Sequence, residues 1–375
     1  MPNPKILLVA NTAWNLWNYR RNLIQALVDR GYHVSLAAPF DGCESRWPPD
    51  SGVRVFPLRR LSRKSLSPLQ NLGCLFELRR LFRKEAPDLV LLFTIKPNLL
   101  GNLAAQGLSC RTLSFVEGLG YAGSAAASWR WWAAPLYRWA LRRASRVIFL
   151  NADDALEFQN LGLVQKSQVV RIPGPGVDLQ YFKPEIRPPG PPVFLFCGRL
   201  LVEKGIREFV AAARLVKMQR PEVKFQVVGA PDPGNPNTVS PAELQTWQAE
   251  GAVTFLGSVA DVRPYLAAAD VLALPSYYRE GVPRAVLEAM AMGKIILTTD
   301  TPGCRDTVSP GENGILVPPR STEALAAAML ALLQLPKERW GKMGSLSRKK
   351  AKEEFSDALV IPQLLHWIRQ LAAPE

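Results

Sequence analysis

The sequence is poor in the residues that usually bind metal ions. Among 375 residues there are two histidines, His33 and His366, and no D-x-D triplet. The five cysteines include no C-x-x-C pair and form no Cys/His spacing typical of zinc sites. We therefore expect no metal ion and no other cofactor. The P-loop and G-x-G-x-x-G patterns are also missing, so the classical mononucleotide and dinucleotide sites are not predicted.

Long apolar runs are lacking as well. The first, residues 6–10, is too short for a signal peptide, and no stretch approaches the roughly 20 apolar residues of a membrane-spanning helix. The widely spaced cysteines indicate reduced thiols. These features predict a cytoplasmic location, in solution or on the inner face of a membrane.

Positively charged residues are in excess, and this excess is distributed unevenly along the chain. The net charge is +14, and residues 1–190 hold 25 Lys and Arg against 13 Asp and Glu. Residues 191–375 hold 21 against 19, so the excess is +12 in the first half and +2 in the second. This asymmetry predicts that the first half meets a polyanion, either a nucleic acid or an anionic membrane. A basic surface that serves solubility alone is the alternative.

The chain opens with the alternation of an α/β domain. Residues 5–10 and 33–38 read as buried parallel strands, and we predict a loop over 11–18 and a helix from Tyr19 to Arg30. In the predicted loop, Asn15 and Asn18 stand beside Trp14 and Trp17. Such amides and rings can bind a sugar acceptor. Packing of these side chains beneath the helix is the alternative.

A second polar position follows the predicted strand over residues 112–116. Glu117 and Gly118 come directly after it. Ligands of open parallel sheets bind at the carboxyl ends of the strands. We therefore count both residues among the candidate acceptor-binding residues.

Residues 128–147 combine tryptophan with arginine. On a helix, Trp129, Trp132 and Trp139 would share one stripe, with Arg138 and Arg142 facing away from it. This composition suits the headgroup layer of an anionic bilayer. The alternative is that the tryptophans pack on the sheet and only the arginines are exposed.

The proline-rich segment 184–192 predicts a connector between two domains. After it, a strand over 193–197 leads to Arg199 and Lys204, which lie on either side of a strand-to-helix turn. Two cations beside a helix N-terminus can hold a diphosphate. Surface ion pairs are the alternative.

The segment Tyr277–Gly293, YYREGVPRAVLEAMAMG, carries two acids eight residues apart. Pro283 and Gly293 predict a helix between them, with Glu280 in the preceding loop and Glu288 in the second turn. The carboxylates could bind sugar hydroxyls, and the helix N-terminus could bind phosphate. An amphipathic helix with two solvated acids is the alternative.

The surrounding residues, REGVPRAVLEAMAMGKIILTTDTPGCRDTV, resemble the E-x7-E region of the family 4 retaining glycosyltransferases. They are most similar to the subgroup that extends polyprenyl-diphosphate-linked sugars, which includes N-acetylgalactosaminyltransferases. The segment GPGVDLQYFKP is similar to the signature that ends the family's first domain. Asp306 and Pro175 depart from the usual Glu and Ser.

The resemblance implies the GT-B fold, two Rossmann-like α/β domains facing across a cleft. We expect an acceptor- and membrane-facing domain over 1–184, a donor domain over 191–355, and a C-terminal helix over 356–375 that crosses back to the first domain. It also implies a metal-independent, retaining hexosyltransferase that moves a sugar, such as an N-acetylhexosamine, from a UDP-sugar to a polyprenyl-diphosphate-linked saccharide.

The resemblance also assigns roles to residues. Arg199 and Lys204 would hold the leaving diphosphate, and Glu288 would hold the ribose hydroxyls. Glu280 would orient the donor sugar with the backbone of Gly281 and Val282, and Val259 would lie in the turn that binds the base. No histidine base is expected, since the leaving phosphate can accept the proton.

Two other functions stay open at this point. One is a UDP-sugar 2-epimerase on the same fold, and the other is a nucleic-acid-binding protein that uses the basic first half. No nucleic acid is expected as a partner of the transferase. The sequence leaves the identity of the sugar open, including glucose, galactose and their N-acetyl forms.

Overall fold

The computed structural model describes residues 3–63, 65, 67–118, 134–187 and 189–373. The chain divides into two compact units. One comprises Met1–Pro175 and Asp357–Glu375, and the other comprises Gly176–Ser356. Each contains one parallel sheet with helices between successive strands.

The first unit contains a seven-stranded sheet in the order β3-β2-β1-β4-β5-β6-β7. Every pairing is parallel, and the central strands are buried on both faces because helices cover them. The strands are β1 Lys5–Val9, β2 His33–Ala38, β3 Val53–Pro57, β4 Leu89–Phe93, β5 Arg111–Val116, β6 Arg146–Phe149 and β7 Val169–Arg171. The helices described between them are α1 Ala13–Val28, α2 Pro68–Glu85, α3 Ile95–Ala105, α4 Ala134–Leu141 and α5 Ala152–Asn160.

The start of α1 corrects one prediction. The sequence predicts a loop over residues 11–18, but the helix begins at Ala13. Thr12 is its N-cap, since the hydroxyl of Thr12 accepts a hydrogen bond from the backbone N–H of Asn15 at 3.0 Å. Asn15 and Asn18 therefore lie on the first turns of a helix.

The second unit repeats the arrangement with six parallel strands in the order β10-β9-β8-β11-β12-β13. The strands are β8 Val193–Cys197, β9 Lys224–Val228, β10 Thr254–Phe255, β11 Val271–Leu274, β12 Ile295–Thr299 and β13 Gly314–Val317. The helices are α6 Ile206–Gln219, α7 Pro241–Glu250, α8 Arg263–Ala268, α9 Arg284–Ala291, α10 Thr322–Gln334 and α11 Lys337–Lys350. The expected pair of Rossmann-like domains is thus confirmed.

The final helix, α12 Asp357–Ala372, belongs to the first unit. The amide of Asn22 on α1 donates to the carboxylate of Asp357 at 2.5 Å. At the other end, the guanidinium of Arg111 donates to the backbone oxygen of Leu371 at 3.1 Å. These bonds attach both ends of the helix to the first sheet and to α1.

The boundary between the units differs from the predicted one. The predicted connector begins at residue 184, whereas the second unit begins at Gly176. Val177 forms a β-bridge with Ser356, and Arg348 donates to the backbone oxygens of Phe182 and Leu179. Residues 176–182 are therefore bound to the second unit ahead of the prolines. No helix within the described ranges is long and apolar enough to span a membrane.

Candidate active site

The loop between β11 and α9 holds Glu280 in a fixed position. The Glu280 carboxylate lies 2.6 Å from the ammonium of Lys204, and these side chains are only 13% and 12% exposed. The other carboxylate oxygen accepts a hydrogen bond from the Ser276 hydroxyl at 3.0 Å. The two residues predicted separately as sugar-orienting acid and diphosphate-binding cation therefore form one ion pair.

The turn that carries Lys204 is joined to the Glu280 loop through the backbone. The oxygen of Glu203 accepts from the N–H groups of Tyr277 and Tyr278, each at 2.8 Å. Gly205 has φ +79° and packs so closely on Pro275 that a Cβ there would clash with the Pro275 oxygen. Only glycine adopts this conformation at so close an approach. The two segments therefore form one rigid unit.

A third segment, which follows β12, packs against the backbone of the Glu280 loop. Gly303 has φ +78°, and a Cβ at this position would clash with the backbone oxygens of Gly281 and Glu280. The hydroxyl of Thr301 also donates to the backbone oxygen of Ser276, at 3.2 Å. The segment after β12 thus fixes the position of the backbone that carries Glu280.

Arg199 follows β8 and is held by an acid that the sequence did not indicate. Its guanidinium lies 2.8 Å from the carboxylate of Asp232, a side chain that is 9% exposed. Asp232 is fixed in turn, because its backbone N–H donates to the Thr238 hydroxyl at 2.8 Å. No motif identified Asp232, because it lies 33 residues from Arg199 in the loop after β9.

The ring of Tyr278 lies near both cations. The centroid is 5.9 Å from the Arg199 guanidinium carbon and 5.7 Å from the Lys204 nitrogen. Both distances fall within the range of cation–π attraction. Burial raises the pKa of the Tyr278 hydroxyl, and the nearby Arg199 opposes this shift. Arg199 and Lys204 are thus brought together, as the sequence predicted, and Tyr278 is a further residue of the site.

Glu288 lies on the second turn of α9, as predicted. Its nearest described cation is Arg284, one turn earlier, at 3.6 Å between Nε and Oε1. Burial raises the pKa of Glu288, and the Arg284 charge counteracts this shift. Burial raises the pKa of the Cys197 thiol to about 12, and the charge of Glu288 adds to this shift, so the thiol lies near the same carboxylate.

Helix α9 begins at Arg284, so Pro283 is its N-cap and lies one residue before the first helical position predicted for it, and Val282 is buried. At the other end, Gly293 has φ +71° and closes the helix. Gly281 lies in the turn between Glu280 and this helix.

The loops after β8, β9 and β10 approach one another at Gly198, Gly229 and Gly257. The N–H of Gly229 donates to the oxygen of Gly257 at 2.8 Å, and Gly229 is in contact with the backbone of Gly198. Gly198 borders open space, with no atom within 4 Å of a Cβ built there. Val259 is half-buried in the loop after β10. Backbone groups and two cations are thus available along one sheet edge for an anionic ligand.

In the first unit, Glu117 is paired with a buried arginine. Arg20 forms an ion pair with Glu117, and its guanidinium lies 4.5 Å from the ring centroid of Phe93. Asn15 is buried, and among the residues that the structure describes its Oδ1 has no hydrogen-bond partner. Asn18 donates to the backbone oxygen of Trp14 at 3.0 Å, and Gly118 has φ +109°. Arg20, Glu117 and Asn15 all follow the carboxyl ends of β1 and β5.

The tryptophan-rich stretch is described in part. Trp129 and Trp132 lie outside the described residues. On α4, the buried positions are Tyr137 and three small or aliphatic residues, whereas Trp139 is 49% exposed. Arg138 and Arg142 are exposed, and Arg138 donates to the backbone oxygen of Leu161 at 2.9 Å. The described part of the predicted stripe therefore lies on the surface.

Comparison with known proteins identifies the family to which the chain belongs. Residues 16–175 match the family model "Glycosyl transferase 4-like domain", and residues 191–335 match "Glycosyl transferases group 1". Together the two matches cover most of both units. The chain belongs to this glycosyltransferase family, and it is a glycosyltransferase. The epimerase alternative is therefore wrong.

Two of the relatives are named for sugars linked to diphospho-undecaprenol. The chain is 29% identical to the N,N'-diacetylbacillosaminyl-diphospho-undecaprenol alpha-1,3-N-acetylgalactosaminyltransferase of Campylobacter jejuni, over 89% of this chain and 91% of that protein. It is 28% identical to the UDP-Gal:alpha-D-GlcNAc-diphosphoundecaprenol alpha-1,3-galactosyltransferase of Escherichia coli, over 72% of each chain. The structure of sucrose-phosphate synthase from Thermosynechococcus elongatus superposes with a TM-score of 0.82 at 24% identity, covering 98% of this chain and 99% of that one. This last similarity shows the shared fold.

Proposed function

We propose that the protein transfers an N-acetylhexosamine from a UDP-sugar to a polyprenyl-diphosphate-linked saccharide, with retention and without a metal ion. The observation that carries the proposal is the cluster of Arg199, Lys204 and Glu280 at the carboxyl ends of β8 and β11. All three residues fall within residues 191–335, the segment matched to the glycosyltransferase model. Two relatives named for diphosphoundecaprenol acceptors support the acceptor class.

The donor diphosphate would bind between the two cations. Arg199 and Lys204 both lie within 6 Å of the Tyr278 centroid, so their charges converge on one region. As the bond between the sugar C1 and the phosphate oxygen breaks, negative charge grows on the leaving UDP. Positioned cations stabilise that charge more in the transition state than in the ground state.

Glu280 would accept hydrogen bonds from hydroxyls of the donor sugar. Its present partner, Lys204, would turn toward the phosphate, and Ser276 would keep the carboxylate in place. A new bond would form between C1 and the acceptor hydroxyl oxygen. The hydroxyl proton would pass to the leaving phosphate, so the reaction requires no histidine.

The ribose and base would lie on the far side of the diphosphate. Glu288 would accept the ribose hydroxyls, and the turn containing Val259 would contact the base. Asn15, Asn18, Glu117 and Gly118 would contact the acceptor. Since the acceptor's lipid is anchored in a bilayer, we place the protein at the inner face of the cell membrane, bound through its basic first half.

A thermal-shift series tests the donor class. UDP, GDP and ADP are compared, alone and as their common sugar conjugates, with and without EDTA. We expect stabilisation by UDP and UDP-sugars that persists in EDTA, because binding to the folded state raises the melting temperature. Preference for another nucleotide would contradict the donor assignment, and loss of the shift in EDTA would contradict metal independence.

A further inference from the structure

The ion pair between Arg20 and Glu117 is almost fully enclosed in the first unit. The side chain of Arg20 is 5% exposed and that of Glu117 is 21% exposed, so the carboxylate is the member that reaches the surface. Removing two charges from water is costly, and apolar residues of similar volume often stabilise a core at least as well as a buried ion pair does. Stability alone therefore does not account for this pair.

Two buried phenylalanine rings hold the guanidinium of Arg20 in place. The guanidinium carbon lies 4.5 Å from the ring centroid of Phe93 and 5.9 Å from that of Phe115, and the two centroids are 4.4 Å apart. A planar guanidinium against fixed rings presents its N–H groups in a defined direction, which a flexible ammonium does not. The Glu117 carboxylate lies in that direction, because its Oε1 pairs with Nη2 of Arg20.

Buried hydrogen bonds between α3 and β5 fix the strand that leads to this carboxylate. The Thr112 hydroxyl donates to the side-chain oxygen of Asn102 at 2.6 Å, and the amide of Asn102 donates to the Ser114 hydroxyl at 2.8 Å. One turn earlier on α3, the amide of Asn98 donates to the backbone oxygen of Phe115 at 2.7 Å. Buried polar networks fix the relative position of the elements that they join. Helix α3 thus holds the end of β5 two residues before the paired carboxylate.

The pair also lies where a parallel sheet of this topology binds ligands. Strands β1 and β4 are neighbours in the first sheet, so the strand order reverses between them. Ligands bind outside the carboxyl ends of the strands at such a reversal. Arg20 lies on α1, which follows β1, and Phe93 is the last residue of β4. The next residue, Thr94, has φ +72°, a strained conformation for a β-branched residue of the kind found at ligand sites.

We propose that Arg20 is a positioning residue for the acceptor sugar. Its guanidinium holds Oε1 of Glu117, and the other carboxylate oxygen, Oε2, accepts a hydrogen bond from a hydroxyl of the acceptor's terminal sugar. A carboxylate that is already held in one orientation loses little side-chain entropy when the hydroxyl binds, so the affinity is higher. This role rests on the proposed function, which assigns Glu117 to the acceptor, and extends it to Arg20.

A double-mutant cycle separates this role from a purely structural one. R20M and E117Q each leave one member of the pair without its charged partner, so each should lower the melting temperature. R20M/E117Q removes both charges with little change in volume, so it should restore the melting temperature toward that of wild type. Stability is therefore expected to recover in the double variant.

The acceptor KM should not recover with stability. We expect it to rise about tenfold in each single variant, the effect of weakening one hydrogen bond to a charged group. It should rise by about the same tenfold in R20M/E117Q, because Arg20 acts through Glu117 and the two effects are not additive. The donor KM should stay at the wild-type value in all three variants. Transfer kinetics with a farnesyl-diphosphate-linked N-acetylhexosamine as acceptor measure both constants.

A second Arg–Glu pair of the first unit provides the matched control. Arg54 on β3 lies 2.8 Å from the buried carboxylate of Glu85, which ends α2 ahead of β4. We expect R54M, E85Q and R54M/E85Q to change the melting temperature and to leave the acceptor KM unchanged. Three results would overturn the proposal: a wild-type acceptor KM in R20M or E117Q, an acceptor KM that recovers together with stability in R20M/E117Q, or an equal rise in the control variants.

Binding of the same acceptor, followed by thermal shift, separates the role of Arg20 from the proposed function. If wild type transfers sugar and R20M has a wild-type acceptor KM, only the role of Arg20 is wrong. If wild type transfers no sugar, the proposed function fails, and the binding data decide. We then expect the acceptor to stabilise wild type with an apparent Kd about tenfold lower than that of E117Q or R20M/E117Q. Equal apparent Kd values, or no stabilisation of wild type, would overturn the proposal.

Discussion

The ammonium of Lys204 and the carboxylate of Glu280 lie 2.6 Å apart, both largely shielded from water. Each neutralises the other, so neither remains as an uncompensated buried charge before donor binds. A diphosphate would compete for Lys204 and a sugar hydroxyl for Glu280. The ion pair thus holds both donor-binding side chains in place without leaving an unpaired buried charge.

Truncation of either partner should remove this arrangement. We expect Lys204→Ala and Glu280→Ala each to lower kcat by at least tenfold, because each removes a charge that acts on the transition state. Steady-state transfer kinetics measure the effect. Arg214→Ala is the control, since its ion pair with Glu250 lies on the surface. Near-wild-type turnover in either site variant would remove that residue from the site.

Gly303 should be essential for the position of the Glu280 loop. Gly303→Ala forces the peptide of Gly281 to move, and a displacement near 1 Å can cost about a hundredfold in rate. Gly311→Ala is the matched control, because Gly311 has φ +76° and a Cβ added there would meet no atom within 4 Å. We expect both variants to lose stability through backbone strain, Gly303→Ala more than Gly311→Ala because of its clash, with activity lost only at Gly303. Equal activities would contradict this role.

Asp232 should act by positioning Arg199. Asp232→Asn removes the charge that directs the guanidinium, and we expect the donor KM to rise about fivefold to tenfold, with a smaller change in kcat. Glu250→Gln, which weakens a surface pair, should leave KM unchanged. An unchanged KM together with a lowered melting temperature would show that Asp232 serves stability alone.

Glu288 should make stability depend on pH. Burial raises its pKa above the ordinary value of 4.5. The folded state then binds more protons than the unfolded state, so the contribution of Glu288 to stability is present at low pH and is lost as pH rises through the folded pKa. Glu288→Gln should match wild type near pH 4 and melt at higher temperature near pH 8.

The effect of Glu288→Gln on UDP binding should be opposite to its effect on stability. The same Gln substitution should weaken UDP binding at pH 8, because a carboxylate accepts ribose hydroxyls better than an amide does. Thermal melts across pH, with exposed Glu312→Gln as control, measure the first effect and titration with UDP the second. A stability difference that does not change with pH would contradict the burial argument.

Much of this site could be predicted from short segments of sequence. Glu280, Glu288 and the glycine that ends α9 stand within one run of residues, and Arg199 and Lys204 directly follow a buried strand. Proximity along the chain preserves such arrangements in three dimensions. The role of Asp232 could not be predicted, because its contact with Arg199 depends on how the loops after β8 and β9 meet.

The incorrect predictions of helices, strands and the domain boundary also concern contacts that the local sequence pattern does not reveal. The predicted beginning of α1 is too late because the Trp and Asn residues suggest a loop, whereas the Thr12 hydroxyl caps the helix. Strand β3 was not predicted, since Arg54 interrupts its short apolar pattern and only neighbouring β2 stabilises it. The predicted domain boundary follows the prolines, although long-range bonds from Arg348 decide where the second unit begins.

The most direct test of the account is a transfer reaction in excess EDTA. Wild-type protein is incubated with UDP-N-acetylhexosamines and an undecaprenyl-diphosphate-linked sugar, and the product's anomeric configuration is determined by proton NMR. We predict a glycolipid one sugar longer, with the anomeric configuration of the donor. Absence of transfer from every UDP-sugar, an inverted product, or activity that EDTA abolishes would contradict the account.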